Sequence, residues 1–259
     1  MSKQPIGIFD SGVGGTSIWK EINTLLPYEN TIYLADSFNA PYGPKGKSRI
    51  IELSVKNTEL LLEQGCKLIV VACNTATTNA IEHLRTIFNV PFIGIEPAIK
   101  PAALKTKTNA IGILATHGTL SSSLFSKTSN LFANNITVIE QVGQGIVELI
   151  ETGKLHSEEM KELLYIYLKP MIEANIDHLV LGCTHYPYLM PILLEILPKH
   201  VKIIDSGEAV ARQTKSILEK HQLLNSQKIK SKHQFYTNGN PKIMNELLGN
   251  GFKVNPLKF

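Results

Sequence analysis

A chain of 259 residues with 43% apolar and 19% charged side chains can bury a sizeable core in one or two units, and this balance excludes a disordered or membrane-embedded protein. The formal charge of +4 sits on scattered lysines, denser in the last third (Lys199, Lys202, Lys215, Lys220, Lys228, Lys230, Lys232). Without interleaved aromatics they read as a solvated surface, so no nucleic-acid partner is expected.

In chain order, Ile6 to Phe9 is a short β-rich run that ends in the turn Asp10-Ser11-Gly12-Val13-Gly14-Gly15-Thr16. Ile18, Ile22, Leu25 and Leu26 then recur at helical spacing until Pro27. Ile32 to Ala35 predicts a second strand, ending in Asp36-Ser37, and the loop Phe38 to Lys45 carries Pro41-Tyr42-Gly43-Pro44. A longer helix is predicted over Ser48 to Gln64, with Ile51, Val55, Leu61 and Leu62 as its apolar positions. Leu68 to Cys73 predicts a third strand, Ile81 to Phe88 lies on the helix after it, and Pro91 to Ile95 predicts a fourth. Strands alternating with helices at this pitch imply an α/β fold with a mostly parallel sheet covered on both faces.

The plan then repeats. Ile111-Gly112-Ile113-Leu114 echoes Ile6-Gly7-Ile8-Phe9 after 105 residues, and HLVLGCTHYP, with Cys183, echoes LIVVACNTAT, with Cys73, after 110. Ile203-Ile204-Asp205 falls where Gly94-Ile95-Glu96 would recur. Two similar Rossmann-like or flavodoxin-like halves, related by an approximate twofold, are expected to face each other across one cleft. The tail offers a helix over Glu208 to Leu218 and short strands at Lys232 to Tyr236 and Phe252 to Val254, too little for a third domain. The expected division is therefore residues 1–97 plus 208–259 as a discontinuous first domain, with 98–207 as the second.

The chemistry is expected at the two matched cysteines. Three cysteines, none in a C-x-x-C pair, make no even disulfide framework. Cys66, after Gly65 and without polar company, reads as structural. Cys73 and Cys183 end matching strands and precede predicted helix starts, where oriented N–H groups bind anions and a helix dipole lowers a thiol's pKa. Two thiols facing each other suit the inversion of a carbon centre, with one taking a proton from one face while the other returns it on the opposite face. Asp10 is placed to orient or deprotonate Cys73, and His185, two residues after Cys183, has the pKa for the matching role. Asn74, Thr75 and Thr184 could add donors for a carboxylate. His83, His117, His156, His178, His200, His221 and His233 are read as ordinary.

DSGVGG at Asp10 to Gly15, ADSFNAPYG at Ala35 to Gly43, ACNTAT at Ala72 to Thr77 and GCTHYP at Gly182 to Pro187 resemble the glutamate racemases of the aspartate/glutamate racemase superfamily. The similarity runs from Ile6 to about Arg212, with four motifs in order. The resemblance implies a cofactor-independent, cytoplasmic enzyme that interconverts L- and D-glutamate for peptidoglycan synthesis, cell-wall biogenesis and cell shape, and it implies a homodimer. It further implies Cys73 and Cys183 as the acid/base pair, with Cys183 the base in the L-to-D direction. Asp10, Ser11, Tyr42, Gly43, Asn74, Thr75, Thr184 and His185 would hold substrate. Glu151, in LIETG, would be the acidic residue near the second thiol, with Glu148 close by. The loop Ser37-Phe38-Asn39-Ala40 departs from the family's pattern, and with only Met1 to Pro5 ahead of the first strand, activation by a cell-wall nucleotide precursor is not expected.

Rival functions are weaker on the residues themselves. Gly12-Val13-Gly14 after a strand could open a dinucleotide site, but the third glycine of that fingerprint falls at Ser17 and Asp10 would repel a pyrophosphate. The same pattern would also suit a racemase for aspartate or a hydantoin, or a non-catalytic module that captures acidic ligands. Cys183-Thr184-His185 lacks further ligands at metal spacing, and no lysine in the motifs could bind pyridoxal phosphate, so no metal or cofactor is expected.

Overall fold

The computed structural model describes residues 3–133, 135–227, 229–249 and 251–259; Lys228, among the C-terminal lysines above, and Met1 lie outside the described residues. The chain runs β1 (Ile6–Asp10), α1 (Thr16–Leu25), β2 (Thr31–Ala35), α2 (Lys47–Glu63), β3 (Leu68–Val71), α3 (Asn74–Ile87) and β4 (Phe92–Gly94). It continues with α4 (Ile99–Lys105), β5 (Ala110–Ala115), α5 (His117–Leu120), α6 (Ser123–Phe132), β6 (Thr137–Val142), α7 (Ile146–Glu151), α8 (Glu158–Glu173), β7 (His178–Gly182), α9 (Met190–Ile196) and β8 (Lys202–Ile204). The remainder is α10 (Gly207–Lys220), β9 (His233–Thr237), α11 (Pro241–Leu248) and β10 (Val254–Pro256).

Two sheets form, one in the order β10-β9-β2-β1-β3-β4 and one in the order β6-β5-β7-β8. The repeat read from the sequence thus appears as a shared strand order, with β2-β1-β3-β4 matched by β6-β5-β7-β8, and every paired strand runs parallel. The central strands β1, β3, β5 and β7 are buried along their whole length, as their continuous apolar runs require when helices cover both faces. The tail does not stand apart. β9 pairs with β2 and β10 with β9, and Lys67 Nζ, donating to Glu29 Oε2 at 2.6 Å and the Leu223 carbonyl at 2.8 Å, fastens the segment leading to them.

Several element boundaries differ from the sequence expectation for physical reasons. β3 ends at Val71 because Cys73 already caps α3, its Sγ accepting the Ala76 N–H at 3.4 Å. The buried face of α2 is Ile50, Leu53, Asn57 and Leu61, while Ile51, Val55 and Leu62 are only half-buried. Apolar spacing alone rotates that face away from its true position, because the helix turns small polar side chains such as Ser54 and Thr58 inward, their hydroxyls bonded to Ile50 and Ser54 carbonyls. Gly65, at φ +77°, closes α2 in the left-handed conformation that side chains disfavour. Phe88 is extended rather than helical, and the last strand lies two residues later than expected.

Candidate active site

The strand ends β1, β3, β5 and β7 deliver Asp10-Ser11, Cys73, Thr116 and Cys183 to one side of the two sheets, where parallel α/β proteins place ligands. Between them lies a cleft lined by Ser11, Pro41, Tyr42, Gly43, Cys73, Asn74, Thr75, Thr116, Val147, Cys183, Thr184 and His185. Its walls stand close: about 10 Å³ is open to the centre of a water molecule, roughly what one water needs. A larger cavity of about 470 Å³ adjoins it, sharing Pro41, Gly43, Thr116 and Val147.

Each thiol is served by its own half. Cys73 Sγ lies 3.5 Å from Ser11 Oγ, and Asp10, buried beside it, accepts N–H groups from Ser11 at 2.7 Å and Gly15 at 2.6 Å. Burial raises the Asp10 carboxyl above its usual range against the pull of His185 and of its own hydrogen bonds. Burial, and then the charge of Asp10, pushes the Cys73 thiol well above its ordinary range. This reverses the expectation that the α3 dipole lowers it, for a dipole contributes about 0.3–1 kcal/mol, whereas full burial can move a group by about 3–5 pKa units. Cys73 therefore rests as a thiol, able to donate a proton.

The second half is built differently. Cys183 precedes a 3₁₀ turn, Tyr186–Leu189, rather than an α-helix start, so the expected row of helical N–H donors is replaced by an imidazole. His185 Nδ1 is 3.7 Å from Cys183 Sγ, and His185 Nε2 is 2.7 Å from Glu151 Oε1. Burial disfavours the imidazolium, but the hydrogen bonds to Cys183 and Glu151 outweigh it and hold His185 well above its usual pKa. Glu151, at the end of α7, makes this contact, while Glu148 is exposed one turn earlier.

The remaining expected residues are all present at the cleft. Thr184 Oγ1 reaches Asp10 Oδ2 at 3.2 Å, joining the halves, and Thr75 Oγ1 reaches Thr116 Oγ1 at 2.7 Å, joining them again. Both amide atoms of the Asn74 side chain are buried and without a partner among the described residues, a cost that a bound polar ligand would remove. Tyr42 lines the wall, but its hydroxyl donates to Asp36 Oδ2 at 2.5 Å instead of pointing at a ligand.

The glycine turn has a reason that is not nucleotide binding. A Cβ at Gly12 would collide with the Glu151 carboxylate and one at Gly14 with the His185 ring. The sequence reading misses Thr116, Pro41 and Val147. Thr116 is within its reach, since it is Ser11 displaced by the 105-residue repeat, whereas Pro41 and Val147 contribute only shape.

Residues 12–214 match the family described as Asp/Glu/Hydantoin racemase. The chain belongs to that family. It is accordingly an enzyme, an isomerase of the racemase type, which removes the dinucleotide-site and binding-module functions. A glutamate racemase of Herpetosiphon aurantiacus is 44% identical over 93% of this chain and 95% of its own. The glutamate racemase isoform RacE1 of Bacillus anthracis superposes with a TM-score of 0.89 at 30% identity, covering 100% of this chain and 98% of that one. The Escherichia coli glutamate racemase, solved with L-glutamate and the activator UDP-MurNAc-ala, gives 0.86 at 35% identity over 98% and 97%. Among the described residues no helix is long and apolar enough to cross a membrane.

Proposed function

We propose that the chain interconverts L- and D-glutamate by two-base proton transfer between Cys73 and Cys183, with no cofactor. The observation that carries the reading is the pairing of thiols across one cleft, each with its own polar partner: Ser11 and Asp10 behind Cys73, His185 and Glu151 behind Cys183. One thiolate takes the α-hydrogen as a proton and leaves the electron pair on the α-carbon; the opposite thiol returns a proton to the other face, and the C–H bond broken is replaced by one of inverted sense. When Cys183 is the base, doubly protonated His185 presents its Nδ1–H to the thiolate while Nε2–H stays on Glu151. Cys73, resting as a thiol, is then the acid. In the reverse direction the roles exchange, with Asp10 the nearest carboxylate to take the Cys73 proton.

The weakly acidic α-hydrogen requires donors that stabilise the developing carbanion and its carboxylate. Asn74, Thr75, Thr116, Thr184, Ser11 and the Tyr42-Gly43 segment line the cleft and supply the candidates for these. Glutamate is assigned from the relatives' shared name and from the ligand of the Escherichia coli enzyme. D-Glutamate supply for peptidoglycan, a cytoplasmic setting and a homodimer are proposed with it. The division into residues 1–97 plus 208–259 and residues 98–207 is supported by the pairing of β9 with β2.

The test is a chiral-chromatographic assay of glutamate, aspartate and hydantoins with the wild type and with Cys73→Ser and Cys183→Ser. Racemisation of glutamate alone, lost by more than about a hundredfold in both variants, is expected. Preference for another substrate, or near-normal turnover in either variant, would overturn the reading.

A further inference from the structure

The family match ends at residue 214, yet the tail beyond it reaches the wall of the cleft. Asn238 follows β9 and is half-buried. Its Nδ2 donates to Asp36 Oδ1 at 2.6 Å and its Oδ1 accepts the Phe38 N–H at 2.9 Å. Gly239, next in sequence, packs so closely that a Cβ there would lie 2.5 Å from the Ser37 Cβ. Asp36 itself is buried, and the donors found for its carboxylate are all neutral: Asn39 Nδ2 at 2.8 Å, Asn238 Nδ2 and the Tyr42 hydroxyl. Tyr42 is held from behind as well, where Asn57 Nδ2 donates to its oxygen at 3.2 Å.

We propose that Asn238 is a positioning residue for the racemase reaction, acting through Asp36 to fix the 37–43 loop, and with it Tyr42 and Gly43, as one wall of the substrate cleft. The inference rests on the assignment of the cleft to glutamate. A buried carboxylate keeps its orientation only while its acceptor sites are filled, and losing one donor leaves it free to turn toward another partner. Here Asp36 Oδ2 aims the Tyr42 ring while Oδ1 is held by Asn238 of the tail together with Asn39 of the loop, so losing the Asn238 bond leaves Oδ1 tied only to the loop itself and loosens the grip on Tyr42. Phe38, exposed near the start of the loop, leaves that end without a buried side chain, and the contacts of Asn238 and Gly239 hold it there, while Tyr42 is buried at the other end. The Asn238 Nδ2 also lies 3.4 Å from the main-chain oxygen of Phe259, so the segment after β10 packs against the same joint.

The experiment compares Asn238→Ala and Asn238→Asp with the wild type for kcat and KM on L- and D-glutamate, together with thermal unfolding. Asn238→Asp is nearly isosteric and keeps the acceptor for Phe38 while turning the donor to Asp36 into a second carboxylate oxygen, so it strikes the bond in question both by its loss and by like-charge repulsion, whereas Asn238→Ala removes it without adding charge. Because the loop contacts substrate in ground state and transition state alike, KM should rise by about tenfold or more in both variants with kcat within about threefold. In a Tyr42→Phe background, which lacks the hydroxyl on Asp36, the effect of Asn238→Ala should shrink to less than about half, since residues acting through one partner are not additive. Unchanged KM in Asn238→Asp, or full additivity with Tyr42→Phe, would overturn the proposal, and so would a lower unfolding temperature with unchanged kinetics. Wild-type enzyme inactive on glutamate would instead point to the substrate assignment.

Discussion

His185 Nε2 stands 2.7 Å from Glu151 Oε1, and that same oxygen accepts the Val13 N–H at 2.6 Å. One carboxylate oxygen from the second half therefore orients the imidazole behind Cys183 and also grips the glycine turn of the first half. The position of the imidazole is thereby tied to the packing of α7 against the glycine turn.

This tie predicts a pH dependence. His185 is held well above its ordinary pKa in the folded state, and the unfolded value is about 6.5. Above about 6.5 the folded state keeps a proton that the unfolded state releases, so this group's stabilisation is complete below that pH and is lost as pH rises through the folded value. Glu151→Gln removes one of the interactions that raise His185, so the loss, which still begins near the unfolded value, should be smaller and complete at a lower pH. Denaturant unfolding of both proteins at a series of pH values checks this; superimposable profiles would contradict the assignment.

The glycine turn gives a steric prediction. Gly14→Ala drives a methyl into the His185 ring, and the ring cannot retreat without leaving Cys183 or Glu151. A displacement of about 1 Å at a catalytic group can cost about a hundredfold, and kcat/KM should fall by about that much in both directions. Gly12→Ala meets the Glu151 oxygen that holds both His185 and the Val13 N–H, and should lower kcat/KM comparably. Equal activity in wild type and Gly14→Ala would mean that His185 does not work from this position.

Cys66 provides the control among the thiols. Burial pushes it up to about 12, and its Sγ packs against Gly7, with no hydrogen-bond partner found for it among the described residues. Cys66→Ala should leave kcat and KM within about twofold and lower stability by about 1 kcal/mol, as the loss of a small buried group does. Calorimetry and the racemisation assay together check both halves of this expectation. A large loss of turnover at an unchanged melting temperature would give Cys66 a part it lacks here.

Much of this is legible in the sequence because parallel sheets write their buried strands as continuous apolar runs and because the halves repeat. Cys73, Cys183 and Asp10 are singled out by strand ends and the repeat, and His185 by its place two residues after Cys183. What the sequence does not carry is energetic or long-range. The α3 N-terminus promises an acidic Cys73, but burial and Asp10 outweigh it, and sequence spacing carries no measure of burial. The second thiol is expected to mirror the first, yet Pro187 accompanies a 3₁₀ turn there and His185 takes over. Glu151 separates from Glu148 only once α7 is placed against the glycine turn. The joint of Asp36 with Asn238 links residues 202 positions apart and leaves no local signal.

The central claim is that two thiols, one on each face, carry the proton. Its most direct test is the wild-type reaction in D2O, run in each direction to low conversion, with the α-position of substrate and product read separately by mass spectrometry after chiral separation. The account predicts deuterium in the newly formed enantiomer and almost none in the recovered substrate, because the base that removes a proton is not the acid that returns one. Comparable deuterium in both enantiomers from the earliest times, or product that keeps the substrate's own hydrogen, would contradict it.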